Sequence, residues 1–288
     1  MRMSRWTNVQ LLTVLLASLL TGCTKYDALD LLIPPIPYWR TRNLAYGRLA
    51  RQKLDVYQPW QQKPNAKVVV FFYGGEWQAG EKAGYRFVAQ GLASRGFIVV
   101  IPDYRYYPEV TFPGFVEDCA LSVKWTHDNI AKYGGDPTHV FLVGHSAGAH
   151  IAALLNFDDH YLRDVGLDSH AIRATAALSG PYDFMPWEED RGIFNMSRTD
   201  TKPNPQIEPI NFVTPHAPPI LLLHGLQDEV VSVGNVRRMA AQIAAAGGKV
   251  NTIIYPDRAH VTIAMALAFP FRWLAPVLDD TVAYLNSQ

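Results

Sequence analysis

The chain has 288 residues, of which 49% are hydrophobic, and its 26 Lys plus Arg balance 26 Asp plus Glu. That length and apolar content suffice for one large core, and a net charge of zero with no basic run removes the electrostatic case for nucleic acid. Only two cysteines are present, which excludes a disulfide scaffold, and no glycine motif of the nucleotide or dinucleotide type occurs.

At the N-terminus, Arg2 and Arg5 precede an apolar run over 11–20. This run is shorter than the ~20 residues a membrane-spanning helix needs, so 1–22 reads as an export signal. Leu20, Thr21, Gly22 and Cys23 resemble the lipobox of bacterial lipoproteins. The resemblance implies cleavage before Cys23, lipidation of its thiol and, because Thr24 rather than Asp follows, an outer-membrane location facing the periplasm. Pro34, Pro35 and Pro37 disfavour regular structure, so 23–48 is expected to be a lipidated tether leading to a folded domain over 49–288. With Cys23 acylated, Cys119 has no partner for an intrachain disulfide.

Beyond the tether, continuous apolar runs at 67–72, 97–102, 139–144, 172–178, 219–224 and 250–255 read as strands. Between and after them, 83–95, 112–132, 147–156, 233–246 and 273–285 read as helices. Strands without polar alternation are buried on both faces, so the pattern predicts an α/β fold around a mainly parallel sheet. The first of these strands runs into Tyr73, Gly74, Gly75, Glu76 and Trp77. A glycine pair there lets backbone N–H groups approach a ligand without Cβ obstruction.

The run Gly144, His145, Ser146, Ala147, Gly148 joins a β-branched strand to an alanine-rich helix and reads as a nucleophile elbow. A turn this tight needs very small residues two before and two after the serine, and it aims the N–H of Ala147 at a developing oxyanion. Asp228 follows the strand at 219–224, and His260 follows the strand at 250–255 on an expected loop. Both sit at sheet ends where active sites of open α/β sheets collect, in the chain order Ser, acid, His. Asp183 is an alternative acid one strand earlier. Asp257 reads as a turn cap and Glu229 as a neighbour of the acid. His145, His150 and His224 lie in or beside regular elements and read as structural, with no metal-ligand spacing. His216 is a weaker rival in a proline-rich loop.

Together with Leu54, Asp55, Val56, Tyr57, Gln58 and Pro59, and with Asp103, Tyr104 and Arg105, these motifs resemble the α/β-hydrolase superfamily. The similarity is to its carboxylesterase branch, which includes hormone-sensitive-lipase-like, feruloyl-esterase-like and kynurenine-formamidase-like proteins, and it runs over 49–285. It implies an α/β-hydrolase fold, with helices on both faces of the sheet and a small cap insertion at 184–214. Carried over by position, it implies Ser146 as nucleophile, His260 as base and then acid, Asp228 as the residue orienting the imidazole, and N–H groups of Gly75, Glu76 and Ala147 as the oxyanion hole. Trp77, Trp187 and Phe194 are candidate substrate-lining residues.

Two positions depart from the family loop: Tyr73 stands where His is usual, and Glu76 where a small residue or Tyr is usual. A carboxylate facing the site would oppose the oxyanion, so Glu76 is expected to point away or to meet a cationic substrate group. The expected activity is hydrolysis of small-molecule carboxylic esters through an acyl-enzyme, with no metal or cofactor. Amides pass through the same tetrahedral intermediate, so formamide or other amide cleavage is the alternative. A non-catalytic, membrane-tethered binding protein is the reading from outside enzymology.

Overall fold

The computed structural model of the chain describes residues 38–168, 170–184 and 204–288. Cys23, the leader and most of the tether lie outside the described residues, as do Trp187 and Phe194 of the expected cap.

Eight strands form one sheet: β1 (Tyr38–Ala45), β2 (Lys53–Pro59), β3 (Ala66–Phe72), β4 (Ile98–Pro102), β5 (Gly135–His145), β6 (Ala174–Leu178), β7 (Ile220–Gly225) and β8 (Val250–Tyr255). Their spatial order is β1-β2-β4-β3-β5-β6-β7-β8. The β1/β2 and β2/β4 pairs are antiparallel and the rest are parallel. Every residue of β4, β6 and β7 is buried, the signature of strands covered on both faces that their unbroken apolar sequences predict. The covering helices are α1 (Arg86–Ala93), α2 (Gly114–Asn129), α3 (Ala147–Phe157), α4 (His160–Asp164), α5 (Gly234–Ala245), α6 (His260–Met265) and α7 (Val277–Asn286).

Three sequence expectations change. The helix expected over 83–95 begins as a 3-10 turn, Lys82–Tyr85, before α1. His260 opens the short helix α6 instead of lying on a loop. The tether boundary at 48 is too late, because Tyr38–Ala45 is an edge strand of the sheet. Its half-exposed residues give no continuous apolar run; besides the backbone ladder with β2 and the packing of Tyr38 and Leu44 on the core, a charged cluster fastens it. The fully buried Asp55 carboxylate on β2 accepts from Arg40 Nη2 at 2.7 Å and from the amide of Asn43 at 2.8 Å. Asn43, at φ 57°, lies in the break in register between Thr41 and Leu44. The ammonium of Lys82 completes the cluster, 3.4 Å from Asp55 and 2.7 Å from Asn43 Oδ1.

Removing one member of a buried ion cluster leaves the others uncompensated, at about 3 kcal/mol. Asp55→Asn is therefore expected to lower the urea midpoint of unfolding by an amount equivalent to ~3 kcal/mol. An unchanged midpoint would show that the cluster does not fasten β1.

Candidate active site

Ser146 lies between the end of β5 and the start of α3 with φ 55° and ψ −122°. Two backbone approaches enforce this bend. A Cβ on Gly144 would come within 2.3 Å of the Gly148 carbonyl oxygen, and one on Gly148 within 2.0 Å of the Phe72 oxygen on β3. The Ser146 amide donates to Leu178 O on β6 at 2.9 Å, so the turn is tied to both neighbouring strands. The 74–77 loop crosses close by, since a Cβ on Gly74 would lie 2.9 Å from Ser146 Cβ. Gly75, Glu76 and Trp77 have φ of 133°, 56° and 54°, and the amides of Gln78 and Ala79 close the turn onto Gly75 O.

Asp228 and His260 follow adjacent strands, Asp228 on the loop after β7 and His260 at the start of α6 after β8. After β7, the amides of Leu226 and Gln227 donate to Tyr255 O and Arg258 O at 2.8 and 3.0 Å, joining the loop to the one that leaves β8. Gly225 is required there, because a Cβ would sit 2.1 Å from Arg258 O. Asp228 Oδ1 accepts from the amides of Val230 and Val231 at 3.0 and 2.8 Å, which aims Oδ2 at His260. Oδ2 lies 2.8 Å from His260 Nδ1, and His260 Nε2 lies 2.9 Å from Ser146 Oγ. With Nδ1 protonated and donating to the carboxylate, Nε2 is the acceptor for the serine hydroxyl. The structure thus brings Ser146, His260 and Asp228 into one hydrogen-bonded line, each side chain largely buried. Burial pushes the Asp228 carboxyl upward, but the His260 hydrogen bond and charge, helped by the Val231 amide and His224, hold it below the usual value. It is therefore ionised at neutral pH.

The histidines read as structural from sequence have specific positions around this line. His145 Nε2–H donates to His260 O at 3.2 Å, with the two rings 4.9 Å apart. His224 Nε2–H donates to Val231 O at 2.9 Å and stands 3.5 Å from Asp228 Oδ2. His150 Nε2–H donates to Ile207 O at 2.6 Å. Burial lowers all three, His145 to about 3 and His150 to about 4, so they are neutral braces.

A cavity of about 580 Å³ opens onto the line, bordered by Ser146, His260, Glu76, Val261, Arg51 and Tyr106. Glu76 is exposed at its rim and forms no ion pair among the described residues. Tyr106 comes from the aromatic run 104–107, which the sequence offers as apolar wall of the site, whereas Arg51 has no sequence signal, since an arginine just ahead of a buried strand carries no motif. Trp77 does not line this cavity: its positive-φ backbone turns the indole into the core, edge-on to His150 at 4.9 Å and near Phe115. Asp183 is engaged elsewhere, its carboxylate and carbonyl both accepting from Arg238. Glu229 and Asp257 are exposed, and His216 borders a separate polar cleft with Arg173 and Lys249. The trailing end of the expected cap, from Asn204 onward, packs into the domain, with Ile207 buried and Glu208 accepting from the Phe184 amide at 2.6 Å. Among the described residues no group of three His, Cys, Asp or Glu side chains is arranged to hold a metal.

The buried histidines make stability depend on pH. Unfolded imidazoles take up protons near pH 6.5, whereas His145 and His150 stay neutral in the fold until about 3 and about 4, so the unfolded state binds more protons in between. Stability present above pH 6.5 is lost as the pH falls, by ~2 kcal/mol per histidine at pH 5. Urea unfolding at pH 7 and pH 5 checks this: His150→Gln is expected to lose less between the two pH values than the wild type, and an equal loss refutes the assignment.

The BD-FAE family model matches residues 54–243. Isoprenylcysteine alpha-carbonyl methylesterase ICME of Arabidopsis thaliana is 30% identical over 86% of this chain and 62% of its own length. Esterase LipQ of Mycobacterium tuberculosis is 30% identical over 84% of this chain and 61% of its own. The chain thus spans about three-fifths of the length of these curated relatives. Among solved structures, esterase B from Lactobacillus rhamnosis superposes with a TM-score of 0.82 at 20% identity, covering 96% of this chain and 94% of its own. A carbohydrate esterase from gut microbiota gives 0.73 at 22%, covering 88% and 98%. The sheet order and these superpositions are those of the α/β-hydrolase fold, and with the family model spanning β2 through α5, the chain belongs to the BD-FAE family.

Proposed function

We propose that the protein is a serine hydrolase that cleaves carboxylic esters of small molecules through an acyl-enzyme. The observation that carries the reading is the unbroken line from Asp228 Oδ2 through His260 to Ser146 Oγ, at 2.8 and 2.9 Å. A serine hydroxyl is a poor nucleophile at neutral pH, so His260 takes its proton as Oγ attacks the ester carbonyl. Ionised Asp228 keeps Nδ1 protonated and stabilises the imidazolium that forms. The tetrahedral oxyanion then meets the amides of Gly75, Glu76 and Ala147, none of which has a backbone acceptor in the described structure. Each such donor is worth ~3 kcal/mol of barrier. His260 next protonates the departing alcohol, and activated water releases the acid by the same steps in reverse.

Support for ester rather than amide chemistry comes from the relatives, which are a methylesterase and esterases by name. The cavity volume of about 580 Å³ suits a small substrate. The leader and Cys23 extend the reading to a lipid-anchored enzyme of the outer membrane, facing the periplasm.

A fluorophosphonate probe is expected to label the wild type and not Ser146→Ala, and turnover of p-nitrophenyl butyrate is expected to fall by ~10⁴-fold or more in that variant. Absence of labelling together with absence of turnover rejects the hydrolase reading, whereas labelling with faster cleavage of N-formylkynurenine than of any ester shifts it to amides. For the anchor, the wild type expressed in a bacterium is expected to incorporate labelled palmitate and sediment with membranes, and Cys23→Ser to do neither. Equal labelling of both proteins rejects lipidation at Cys23.

A further inference from the structure

The buried charges behind the 74–80 loop form a ladder. Arg40 pairs with Asp55 at 2.7 Å, Asp55 lies 3.4 Å from Lys82, and Lys82 lies 3.6 Å from Asp103. From Asp103 the ladder continues through a neutral rung: the Tyr73 hydroxyl donates to Asp103 Oδ1 at 3.1 Å and accepts from Arg51 Nη2 at 3.3 Å. The ladder therefore has three cations and two carboxylates. Its surplus positive charge belongs to Arg51, the one member that borders the cavity containing Ser146 and His260.

Arg51 is held rigidly. Its Nε–H donates to Tyr104 O at 2.7 Å, Nη2 donates to Gly80 O, and the guanidinium lies over the Tyr106 ring at 4.1 Å from the centroid. Those contacts use Nε and Nη2, and the two N–H groups of Nη1 have no acceptor among the described residues. No carboxylate among the described residues lies within ion-pair distance of Arg51. Asp103 acts on Arg51 only at a distance, across the Tyr73 hydroxyl. A half-buried guanidinium of fixed orientation, with donors to spare and no carboxylate in direct contact, attracts an anion more strongly than a solvated one and orders nothing further on binding it.

We propose that Arg51 is a specificity-determining residue that selects esters carrying a carboxylate. The inference rests on the reading of Ser146 as the nucleophile in the same cavity. Glu76 and Glu81 also border the cavity, but both are exposed, where water and salt screen them. An ionised carboxylate on the substrate reaches Nη1, and its ester carbonyl is thereby oriented relative to Ser146. The same contacts brace the oxyanion loop at Gly80, so Arg51 affects every substrate to some degree. Selectivity, rather than absolute rate, is the quantity that isolates recognition.

The test measures kcat/KM of the full chain on two matched ester pairs. Monomethyl adipate against dimethyl adipate puts the charge on the acyl side, and 4-acetoxybenzoate against its methyl ester puts it on the leaving side. In one pair at least, the charged member is expected to be preferred by about tenfold, and Arg51→Gln to reduce the charged-to-neutral ratio by about the same factor. Arg51→Lys keeps the charge and is expected to retain part of that ratio, and the wild-type ratio is expected to fall as ionic strength rises. A preference for the neutral member of both pairs overturns the proposal. So does an Arg51→Gln variant that lowers charged and neutral rates alike, or a preference for the cationic ester acetylcholine over all four. If no ester is hydrolysed and the fluorophosphonate leaves Ser146 unlabelled, the hydrolase reading itself fails and takes this proposal with it.

Discussion

A serine held at φ 55° and ψ −122° is under backbone strain of order 1–3 kcal/mol, and the surrounding sheet exists in a form that can hold it there. The strain is not local to the serine. It is sustained by Gly148 lying against the carbonyl of Phe72 on the neighbouring strand and by the Ser146 amide hydrogen-bonded to Leu178 on the strand beyond. Three adjacent parallel strands thus clamp one residue, and the hydroxyl projects at their carboxyl ends, where the loops after β3, β7 and β8 gather.

Those loops are aligned by backbone contacts before any side chain takes part. The 225–228 turn is bonded to Tyr255 and Arg258 of the next loop, and the carboxylate and imidazole inherit their separation from that joint. His145 and His224 then fasten the result: one donates to the carbonyl of His260, the other to that of Val231, whose own amide supports Asp228. Because burial keeps both imidazoles neutral, they supply directed donors without adding positive charge beside His260.

The loop that follows β3 is supported by an aromatic stack and by charge. Tyr73 is stacked between Tyr85 and Tyr104 with ring centroids 5.3 and 4.6 Å away. Its backbone carbonyl accepts from the Tyr104 hydroxyl at 2.6 Å, and its own hydroxyl bridges Asp103 and Arg51. The Tyr73 phenol therefore links the loop to a charged ladder that reaches the edge strand. The same ladder ends in an arginine facing the cavity, so the support of the loop and the electrostatics of the site share one set of residues.

By itself the sequence determined whatever depends on steric rules acting over a few residues. Unbroken apolar runs required strands covered on both faces, glycines two before and two after Ser146 required the elbow, and chain order made Asp228 and His260 candidates to meet it. Tertiary structure alone decided what depends on partners far along the chain. Asp228 and Asp183 both follow strands of the sheet, and they differ because Arg238 engages Asp183 while the joined loops deliver Asp228 to His260. Tyr38–Ala45 pairs with β2 without an unbroken apolar run to announce it, helped by distant charges on Asp55 and Lys82 that meet Arg40 and Asn43, and Trp77 turned inward on a backbone conformation its sequence does not announce. His260 and Ser146 lie 114 residues apart, a distance over which no local propensity acts, so only the packed sheet could set the 2.9 Å between them.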